Sequence, residues 1–385
     1  MPDHPLTSVG GGGVIVEDEG PAGEKFGGGL DEWVEVASLG TGRRNLAGAS
    51  DADGLVYAIG GQSDANTFES VVEQYDAGTD TWTTVASLGT ARFSLAGASD
   101  ANGLIYAIGG DSSANDYESV VEQYDPGTDT WTTVASLGTA RRRLAGASGA
   151  DGLVYAIGGE VDGSDFTSVV EQYDPSTDTW TTVASLGTAR QLLSGALDAD
   201  GLIYAIGGNS DANQHESVVE QYDPGTDTWT TVASLGTGRR DLAGASDADG
   251  LIYAIGGEVD GFDPTSVVEQ YDPSTDTWTT VASLGTARSQ LAGASDADGL
   301  VYAIGGNSDA KTFESVVEQL LFEPVYADAY SATGDTLFTA DDPDAEILNR
   351  TTDRRVTGDS LIARDGETIA WLVESQARLY RTEEQ

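Results

Sequence analysis

Residues 55–87 read "LVYAIGGQSDANTFESVVEQYDAGTDTWTTVAS", and close copies of this stretch recur along most of the chain. Its diglycine recurs every 49 residues, beginning at Gly60, Gly109, Gly158, Gly207, Gly256 and Gly305. Its tryptophan has the same spacing, at Trp33, Trp82, Trp131, Trp180, Trp229 and Trp278. Six copies with a period of about 40 to 50 residues are typical of a propeller or of another stacked array.

Each copy contains four segments with the composition of β-strands. In the first copy they are "LAGAS" (46–50), "LVYAIGG" (55–61), "SVVEQYD" (70–76) and "TWTTVAS" (81–87). Asp53-Gly54 separates the first two segments, and the second copy has Asn102-Gly103 at the same place. Both dipeptides tolerate the positive φ angles of a two-residue hairpin, so we predict four short antiparallel strands in each copy.

A sheet of four such strands has two apolar faces and would be unstable alone. Packing several sheets face to face around one axis buries both faces. The small "AGA" segment suits a strand that is crowded next to that axis. Tyr57, Tyr75, Trp82 and their equivalents are large enough to fill the wider space between sheets.

The copies resemble the kelch repeat in three features. These are a diglycine after an apolar strand, the "YDPxTDTW" segment, and an arginine ahead of the next first strand. The resemblance covers residues 32–321 and implies an all-β, six-bladed propeller with four-stranded blades. The repeat region begins with a fourth strand and ends with a third, so we expect residues 32–38 to complete the last blade. That closure leaves no open edge.

The flanking regions do not repeat. Residues 1–31 are predicted to be a flexible glycine-rich lead-in, without the basic and apolar regions of a signal peptide. In residues 322–385 we expect a hairpin around Asp365-Gly366, a further strand in "ARLYRT" and one helical turn in "DPDAEILNRTT". Because so short a segment would be marginal alone, we predict a β-rich extension that docks on the propeller.

The chain is strongly acidic, with 64 Asp and Glu against 18 Lys and Arg and a formal net charge of -46. Such a surface repels itself in dilute buffer, whereas molar salt reduces the Debye length to ~3 Å and screens the repulsion. We therefore predict a halophile protein; the alternative is an acidic surface that captures calcium or a basic partner. Nucleic acid is disfavoured as a partner because phosphates require a basic face.

Several classes of protein are excluded by residue types and segments that the sequence lacks. There are no cysteines, which excludes disulfides, thiolate chemistry and cysteine-bound zinc. No apolar run reaches the roughly 18 residues of a membrane span. We predict no cofactor, no metal and no membrane partner, and we expect a monomer with the cytoplasm as its default compartment.

The positions at which the copies differ are candidate binding residues. Two residues that never recur as a pair follow the arginines of the repeat, which we call the motif arginines: Arg43, Arg92, Arg141, Arg190, Arg239 and Arg288. The pairs are Arg44-Asn45, Phe93-Ser94, Arg142-Arg143, Gln191-Leu192, Arg240-Asp241 and Ser289-Gln290. A second varied stretch follows each diglycine, as "QSDANTFE" and "DSSANDYE" illustrate. Both loops leave a blade on the same face, so we expect these residues to surround one channel mouth.

Ten of the sixteen arginines lie in the loops that lead into the first strands, three of them in "GTARRRLAGAS" (138–148). A rim of guanidinium groups can bind a carboxylate through two parallel hydrogen bonds. For the motif arginines we favour pairing with the blade's own aspartates or carbonyls. For Arg44, Arg142, Arg143 and Arg240 both roles stay open. Charge reversal at Arg142 and Arg143 is expected to weaken binding without lowering thermal stability.

Other polar positions carry weaker signals. His215 replaces the aromatic residue of other copies and precedes Glu216, but a neutral surface substitution is favoured over an acid–base pair. Paired aspartates such as Asp51 and Asp53, and those of "YDPGTDTW", fit turns better than cation sites.

These observations favour a non-enzymatic binding propeller whose varied loops take a protein or glycan ligand, with acidic groups preferred. The alternative is a carbohydrate-active enzyme, such as an acidic-sugar epimerase or lyase. In that case Arg142, Arg143 or Arg240 would hold the sugar carboxylate, and the base would be a carboxylate or histidine that the sequence does not identify. Assembly through residues 322–385 is a third possibility. The fold by itself does not decide among them.

Overall fold

The computed structural model describes residues 32–321 except loop positions 66, 114–115, 162–164, 212–213, 260–262 and 310–311. Outside that range it describes only the backbone of strands. Glu32–Leu321 forms one compact unit, and Met1–Asp31 with Phe322–Gln385 forms another. The predicted flexibility of residues 1–31 and the predicted docking of residues 322–385 lie outside the described residues.

Glu32–Leu321 consists of six four-stranded antiparallel sheets, which confirms the predicted six-bladed, all-β propeller. We call them blades 1 to 6 and give their strands from the channel outward. Blades 1 to 3 are Ala47–Ser50, Val56–Ile59, Val72–Asp76, Thr81–Val85; Ala96–Ser99, Ile105–Ile108, Val121–Asp125, Thr130–Val134; and Ala145–Ser148, Val154–Ile157, Val170–Asp174, Thr179–Val183. Blades 4 to 6 are Ser194–Leu197, Ile203–Ile206, Val219–Asp223, Thr228–Val232; Ala243–Ser246, Ile252–Ile255, Val268–Asp272, Thr277–Thr280; and Ala292–Ser295, Val301–Ile304, Val317–Leu321, Glu32–Val36.

The loop between the second and third strands, here called the second loop, folds into a short ribbon in four blades. The ribbons are Gln62–Asp64 with Thr67–Phe68, Glu160–Val161 with Asp165–Phe166, Asn209–Asp211 with Gln214–His215, and Glu258–Val259 with Asp263–Pro264. In blades 2 and 6 a single bridge takes its place, Asp111 to Tyr117 and Asn307 to Phe313. These pairings hold the varied second loops against the scaffold.

The ring closes through the first strand of the repeat region. Glu32–Val36 pairs antiparallel with Val317–Leu321, with Glu32 opposite Leu321 and Val36 opposite Val317. Blade 6 therefore combines one strand from the start of the repeat region with three from its end, which is the arrangement that the sequence predicts.

Each blade is fastened to its neighbour near the outer edge. Trp131 Nε1 of blade 2 donates to the carbonyl of Ala86 at 2.8 Å, and Asp129 Oδ1 accepts from the backbone N–H of Ala86 at 2.7 Å. Asp125, the other aspartate of the motif, accepts from the N–H of Gly127 and shapes the turn. The turn role predicted for Asp125 is thus confirmed, whereas Asp129 bonds to the neighbouring blade.

Glycines let the first strands meet at the channel. A Cβ added to Gly97 of blade 2 would lie 2.5 Å from the carbonyl oxygen of Gly48 in blade 1. The other first-strand glycines approach the preceding blade's glycine in the same way. Any side chain at these positions would push the blades apart.

The strands outside the propeller form their own sheets. Thr7–Ser8 pairs with Ile15–Val16. One further sheet contains Asp328–Ala332, Asp335–Thr339 and Leu361–Ala363, and another contains Arg354–Thr357, Glu346–Asn349, Ile369–Val373 and Gln376–Leu379.

These pairings correct one prediction for the C-terminal segment. The hairpin around Asp365-Gly366 is wrong, because Leu361–Ala363 pairs with Asp335–Thr339, whereas Ile369–Val373 pairs with Glu346–Asn349. A partner distant in sequence prevails there over the local turn signal. In "DPDAEILNRTT" Glu346–Asn349 is a strand, and the other residues in which a helical turn is expected lie outside the described residues. Gln376–Leu379 is a strand that includes the start of "ARLYRT".

Candidate functional site

The two varied loops of each blade lie side by side at one end of the channel. In blade 1 the N–H of Arg44 donates to the carbonyl of Gln62 at 3.0 Å, and the N–H of Gln62 donates back at 2.9 Å. The corresponding bridges are Phe93–Asp111, Arg142–Glu160, Gln191–Asn209, Arg240–Glu258 and Ser289–Asn307. The first residue of every varied pair therefore contacts the first residue after the diglycine in the same blade.

The second residues of the varied pairs form a closed circle around the channel, which we call the mouth ring: Asn45, Ser94, Arg143, Leu192, Asp241 and Gln290. Each backbone N–H donates to the carbonyl of the ring residue in the preceding blade, at 2.8 to 2.9 Å. Every member has a positive φ between 50° and 56°. This conformation is costly for residues other than glycine, and the circle of hydrogen bonds offsets the cost.

The mouth ring surrounds a depression of about 410 Å³, which includes solvent at its open end. Beneath the ring residues lie six leucines: Leu46, Leu95, Leu144, Leu193, Leu242 and Leu291. The structure thus brings half of the twelve predicted rim residues into one pocket. The other half, the first residues of the pairs, do not line it.

The motif arginines are completely buried and are not available to a ligand. Arg92 donates to Glu122 Oε2 at 2.5 Å and to the carbonyls of Gly109 and Val120 at 2.8 and 3.0 Å. Burial lowers the pKa of Arg92, and the charge of Glu122 opposes that shift. The structural role that the sequence favours is right, but the carboxylate partner is a glutamate of the third strand rather than an aspartate.

Arg142 is occupied by carboxylates of two blades. Its Nη1 donates to Asp111 Oδ2 at 2.5 Å, while Nε and Nη2 donate to Glu160 at 3.2 and 3.0 Å. The ring of Tyr117 lies 4.6 Å from the guanidinium carbon. Burial would raise the pKa of Glu160, but hydrogen bonds from Arg142 and Tyr117 lower it overall. The prediction that charge reversal at Arg142 leaves stability unchanged therefore does not fit this arrangement.

Arg143 is the arginine that lines the mouth ring, and 33% of its side chain is exposed. Its Nη1 donates to Glu160 Oε2 at 2.9 Å and to Gln191 Oε1 at 3.3 Å. Its Nε and Nη2 form no hydrogen bond with a described residue. Part of its hydrogen-bonding capacity thus faces no protein partner in the described region.

The other two varied arginines lie outside the pocket. Arg240 donates to Glu258 Oε1 from Nη2 at 2.5 Å and from Nε at 2.9 Å. Arg44 donates to Gln62 at 3.2 Å and stacks on Phe313 at 4.7 Å; it forms no ion pair among the described residues. Burial lowers the pKa of Arg44, and the charge of Asp241 opposes the shift.

Asp241 is the acidic member of the mouth ring, and only 5% of its side chain is exposed. Arg240 Nε lies 3.8 Å from Oδ2, which is an ion-pair distance but not a hydrogen bond. Burial and the charge of Glu258 raise the pKa of Asp241 to about 6, although Arg143, Arg240 and Arg44 act in the opposite direction. A buried carboxylate in a pocket with a raised pKa is a recognised mark of functional sites.

The prediction of a surface role for His215 is wrong. Its side chain is 5% exposed, and Nε2 lies 3.8 Å from Glu258 Oε1 of the next blade. Equivalent positions also contact the next blade, since Phe68 stacks on Phe93 with 4.4 Å between ring centroids. The side chain at this repeat position packs between its own blade and the next one, which favours a large ring at that place.

Sequence reasoning missed three carboxylates that bind the rim arginines: Asp111, Glu160 and Glu258. A signal for two of them was present, because the copies with Arg142 and Arg240 have glutamate directly after the diglycine, at Glu160 and Glu258. Asp111 gave no such signal, since it contacts Arg142 from the preceding blade.

The described part of the chain is a six-bladed propeller with a buried arginine–glutamate pair in every blade. Comparison with known families agrees: the KLHDC2/KLHL20/DRC7 Kelch-repeats domain matches residues 46–240, and the Kelch motif matches residues 239–285. The chain therefore belongs to the Kelch-repeat proteins.

Among solved structures, that of YjhT is similar with a TM-score of 0.61 and 16% sequence identity. The match covers 74% of this chain and 96% of that one. At this identity the similarity shows a shared fold alone. Comparison with curated proteins gives no match.

Two further features bear on ligands and surroundings. Within the described region no three His, Asp or Glu side chains are grouped so that they could hold a metal ion. The same residues include no helix long and apolar enough to cross a membrane. The prediction that the protein uses no cofactor remains a prediction.

Proposed function

We propose that the protein is a non-enzymatic binding propeller whose ligand site is the mouth ring. The observation that carries this proposal is the contrast between backbone and side chains in the ring. All six positions share one conformation and one hydrogen-bond pattern, yet each carries a different side chain. Packing alone gives no reason for six different residues at equivalent places, whereas recognition of an asymmetric ligand does.

The ligand that this ring suits carries a carboxylate, as an acidic peptide or an acidic glycan does. Arg143 supplies the guanidinium group, with two N–H-bearing atoms that bond no described residue. Arg142 and Arg240 are bonded to carboxylates of the protein. We therefore assign them to the stability of the loops rather than to ligand binding. Kelch propellers commonly bind protein partners, which agrees with a peptide ligand.

A titration with matched variants tests this proposal. Acidic peptides and acidic glycans are titrated calorimetrically in molar salt against the wild type, Arg143→Gln and Thr132→Asp. Thr132 is exposed on the outer strand of blade 2, and Thr132→Asp changes the net charge by the same amount as Arg143→Gln does. We expect Arg143→Gln to weaken binding about tenfold or more, because a charge-assisted hydrogen bond is lost, and Thr132→Asp to leave it unchanged. Equal affinities in all three proteins would contradict the proposal.

A second candidate function is favoured by Asp241. An acidic-sugar epimerase or lyase removes a proton from the carbon beside the carboxylate and therefore needs a base near neutral pH. Asp241, with its pKa raised to about 6, lies in the same ring as an arginine that could hold that carboxylate.

Deuterium exchange tests the enzymatic alternative. Uronic-acid oligosaccharides are incubated with the protein in D₂O at molar salt and followed by NMR. An enzyme would incorporate deuterium at the carbon beside the carboxylate or cleave the chain, and Asp241→Asn would abolish both. Unchanged substrate spectra would contradict this candidate and leave the binding proposal.

We also propose that the protein works in high salt, as a monomer and by default in the cytoplasm. The support for high salt is the net charge of -46 with only two lysines. At molar ionic strength the Debye length falls to ~3 Å, so repulsion between surface carboxylates is largely screened.

A further inference from the structure

The mouth ring has two neighbouring acceptor groups that receive no hydrogen bond from a described residue. Asp241 is buried, and no described residue donates a hydrogen bond to its carboxylate. Gln290 follows it in the ring, and its Oε1 is buried with no hydrogen-bond partner in the same part of the chain. The two residues are held together by the backbone, since the N–H of Gln290 donates to the carbonyl of Asp241 at 2.8 Å. A buried acceptor without a donor, such as Gln290 Oε1, is costly. Asp241 lines the same pocket, so its carboxylate can accept a hydrogen bond from a bound ligand.

The cations of the described residues do not bond fully to Asp241. Arg240 is the nearest, but its Nη2 and Nε both donate to Glu258. Arg143 belongs to the same ring with Leu192 between it and Asp241, and it is bonded to Glu160 and Gln191. The ring therefore presents, on the two sides of Leu192, a cation with unused N–H groups and a carboxylate that accepts no hydrogen bond from a described residue.

We infer that Asp241 and Gln290 form a subsite for an ammonium group and that the natural ligand is a zwitterion, with its carboxylate on Arg143. This inference rests on the proposed function, because it names the second group of a ligand bound at the same ring. Free amino acids and short peptides with an unmodified N-terminus have this chemistry. The leucines beneath the ring offer an apolar surface to the carbon skeleton between the two charges.

The subsite has a defined dependence on pH. It needs an ionised Asp241, whose pKa is raised by burial and by Glu258 and lowered by Arg143, Arg240 and Arg44. The ammonium group of the ligand stays charged throughout this range. Affinity for a zwitterion should therefore fall as the pH decreases through about 6, where Asp241 becomes protonated.

Matched probes with and without an ammonium group test the inference. Glutamate is compared with glutarate, and a glutamyl-glutamate dipeptide with its N-acetylated form, by calorimetric titration at about pH 7.5 in molar salt. The proteins are the wild type, Asp241→Asn, Arg143→Gln and Thr132→Asp, the last as a control on the exposed outer strand of blade 2. We expect the wild type and Thr132→Asp to prefer the ammonium-bearing probe about tenfold or more. Asp241→Asn should lose this preference, and Arg143→Gln should weaken both probes.

The outcomes separate this inference from the proposed function. Equal binding of the two probes of each pair by the wild type, with weakening by Arg143→Gln, would overturn the ammonium subsite and keep the binding propeller. No binding of any acidic probe, peptide or glycan would overturn both. If Asp241→Asn fails to fold by circular dichroism, the wild type at about pH 5 replaces it. A preference for the ammonium-bearing probe that persists there would overturn the inference.

Discussion

At the residue scale, the loops that lead into the first strands contain two kinds of arginine with different functions. The motif arginines are sealed inside the blades, each with a glutamate of the third strand. Among the additional arginines, Arg143 alone lines the pocket, whereas Arg142 is bonded to Asp111 and Glu160. The sequence shows that the two kinds differ, because only the additional ones vary between copies. It does not show that the preceding blade supplies a carboxylate, Asp111, to Arg142.

The buried pair in blade 2 gives a stability prediction. Glu122→Gln keeps an acceptor for the N–H of Gly89 but leaves Arg92 charged and uncompensated in the interior. We expect the free energy of unfolding to fall by about 3 to 5 kcal/mol, as when one partner of a buried ion pair is removed. Denaturant titration measures it, with Glu35→Gln, on an exposed outer strand, as the charge-matched control. Equal midpoints for the two variants would show that the pair contributes little.

Asp241 gives a prediction that depends on pH. Its folded pKa of about 6 lies above the ordinary value of 3.8, so the folded state favours the protonated carboxyl. Ionisation therefore destabilises the fold as the pH rises from about 4 to about 6, by up to about 3 kcal/mol. Asp241→Asn should then be more stable than the wild type at about pH 7.5, with the difference shrinking toward pH 4. A difference that does not change with pH would be inconsistent with the raised pKa.

At the scale of strands and loops, the repeat predicted the blades well because the strand boundaries are marked by recurring turn residues. Asp53-Gly54 and its five equivalents follow the first strand, and "AGTD", "PGTD" or "PSTD" joins the third strand to the fourth in five blades. The mouth ring was not predictable in the same way. Left-handed φ values at Arg143, Leu192 and Gln290 arise from a circle of hydrogen bonds between blades, which local residue preferences do not encode.

The first-strand glycines give a prediction for packing between blades. Gly97→Ala places a methyl group 2.5 Å from the carbonyl oxygen of Gly48, so blades 1 and 2 must separate. Overpacking of this kind costs about 1 to 3 kcal/mol, which should appear as a lower midpoint of thermal unfolding. Gly127→Ser is the control, because Ser176 and Ser274 occupy the same place in other copies. If Gly97→Ala and Gly127→Ser unfold at the same temperature, the first strands of blades 1 and 2 are not as closely packed as the structure indicates.

At the scale of the whole molecule, the number of blades, their order and the closure by Glu32–Val36 all follow from the periodicity. The site follows only in part. The repeat showed which loops share one face, whereas the division of the varied residues into a mouth ring and an outer rim depends on the curvature of each loop. The ligand that we propose is inferred from the unused hydrogen-bonding capacity of Asp241 and Gln290, which no comparison of copies could indicate.

The net charge of -46 gives a prediction for the folded molecule in different salt concentrations. Transfer from molar to millimolar salt restores long-range repulsion between carboxylates. We expect the β-type circular dichroism signal to be lost after dialysis and to return when salt is added again. A signal retained in millimolar salt would argue against adaptation to a saline environment.

The central claim is that one pocket, formed by six varied residues on a repeating scaffold, recognises the ligand. A crystal structure of the full chain grown in molar salt with glutamate tests this claim most directly. We predict electron density for glutamate inside the mouth ring, with a carboxylate within hydrogen-bond distance of Arg143 and the ammonium group against Asp241. Glutamate bound only on the outer strands or at the opposite end of the channel would contradict the account.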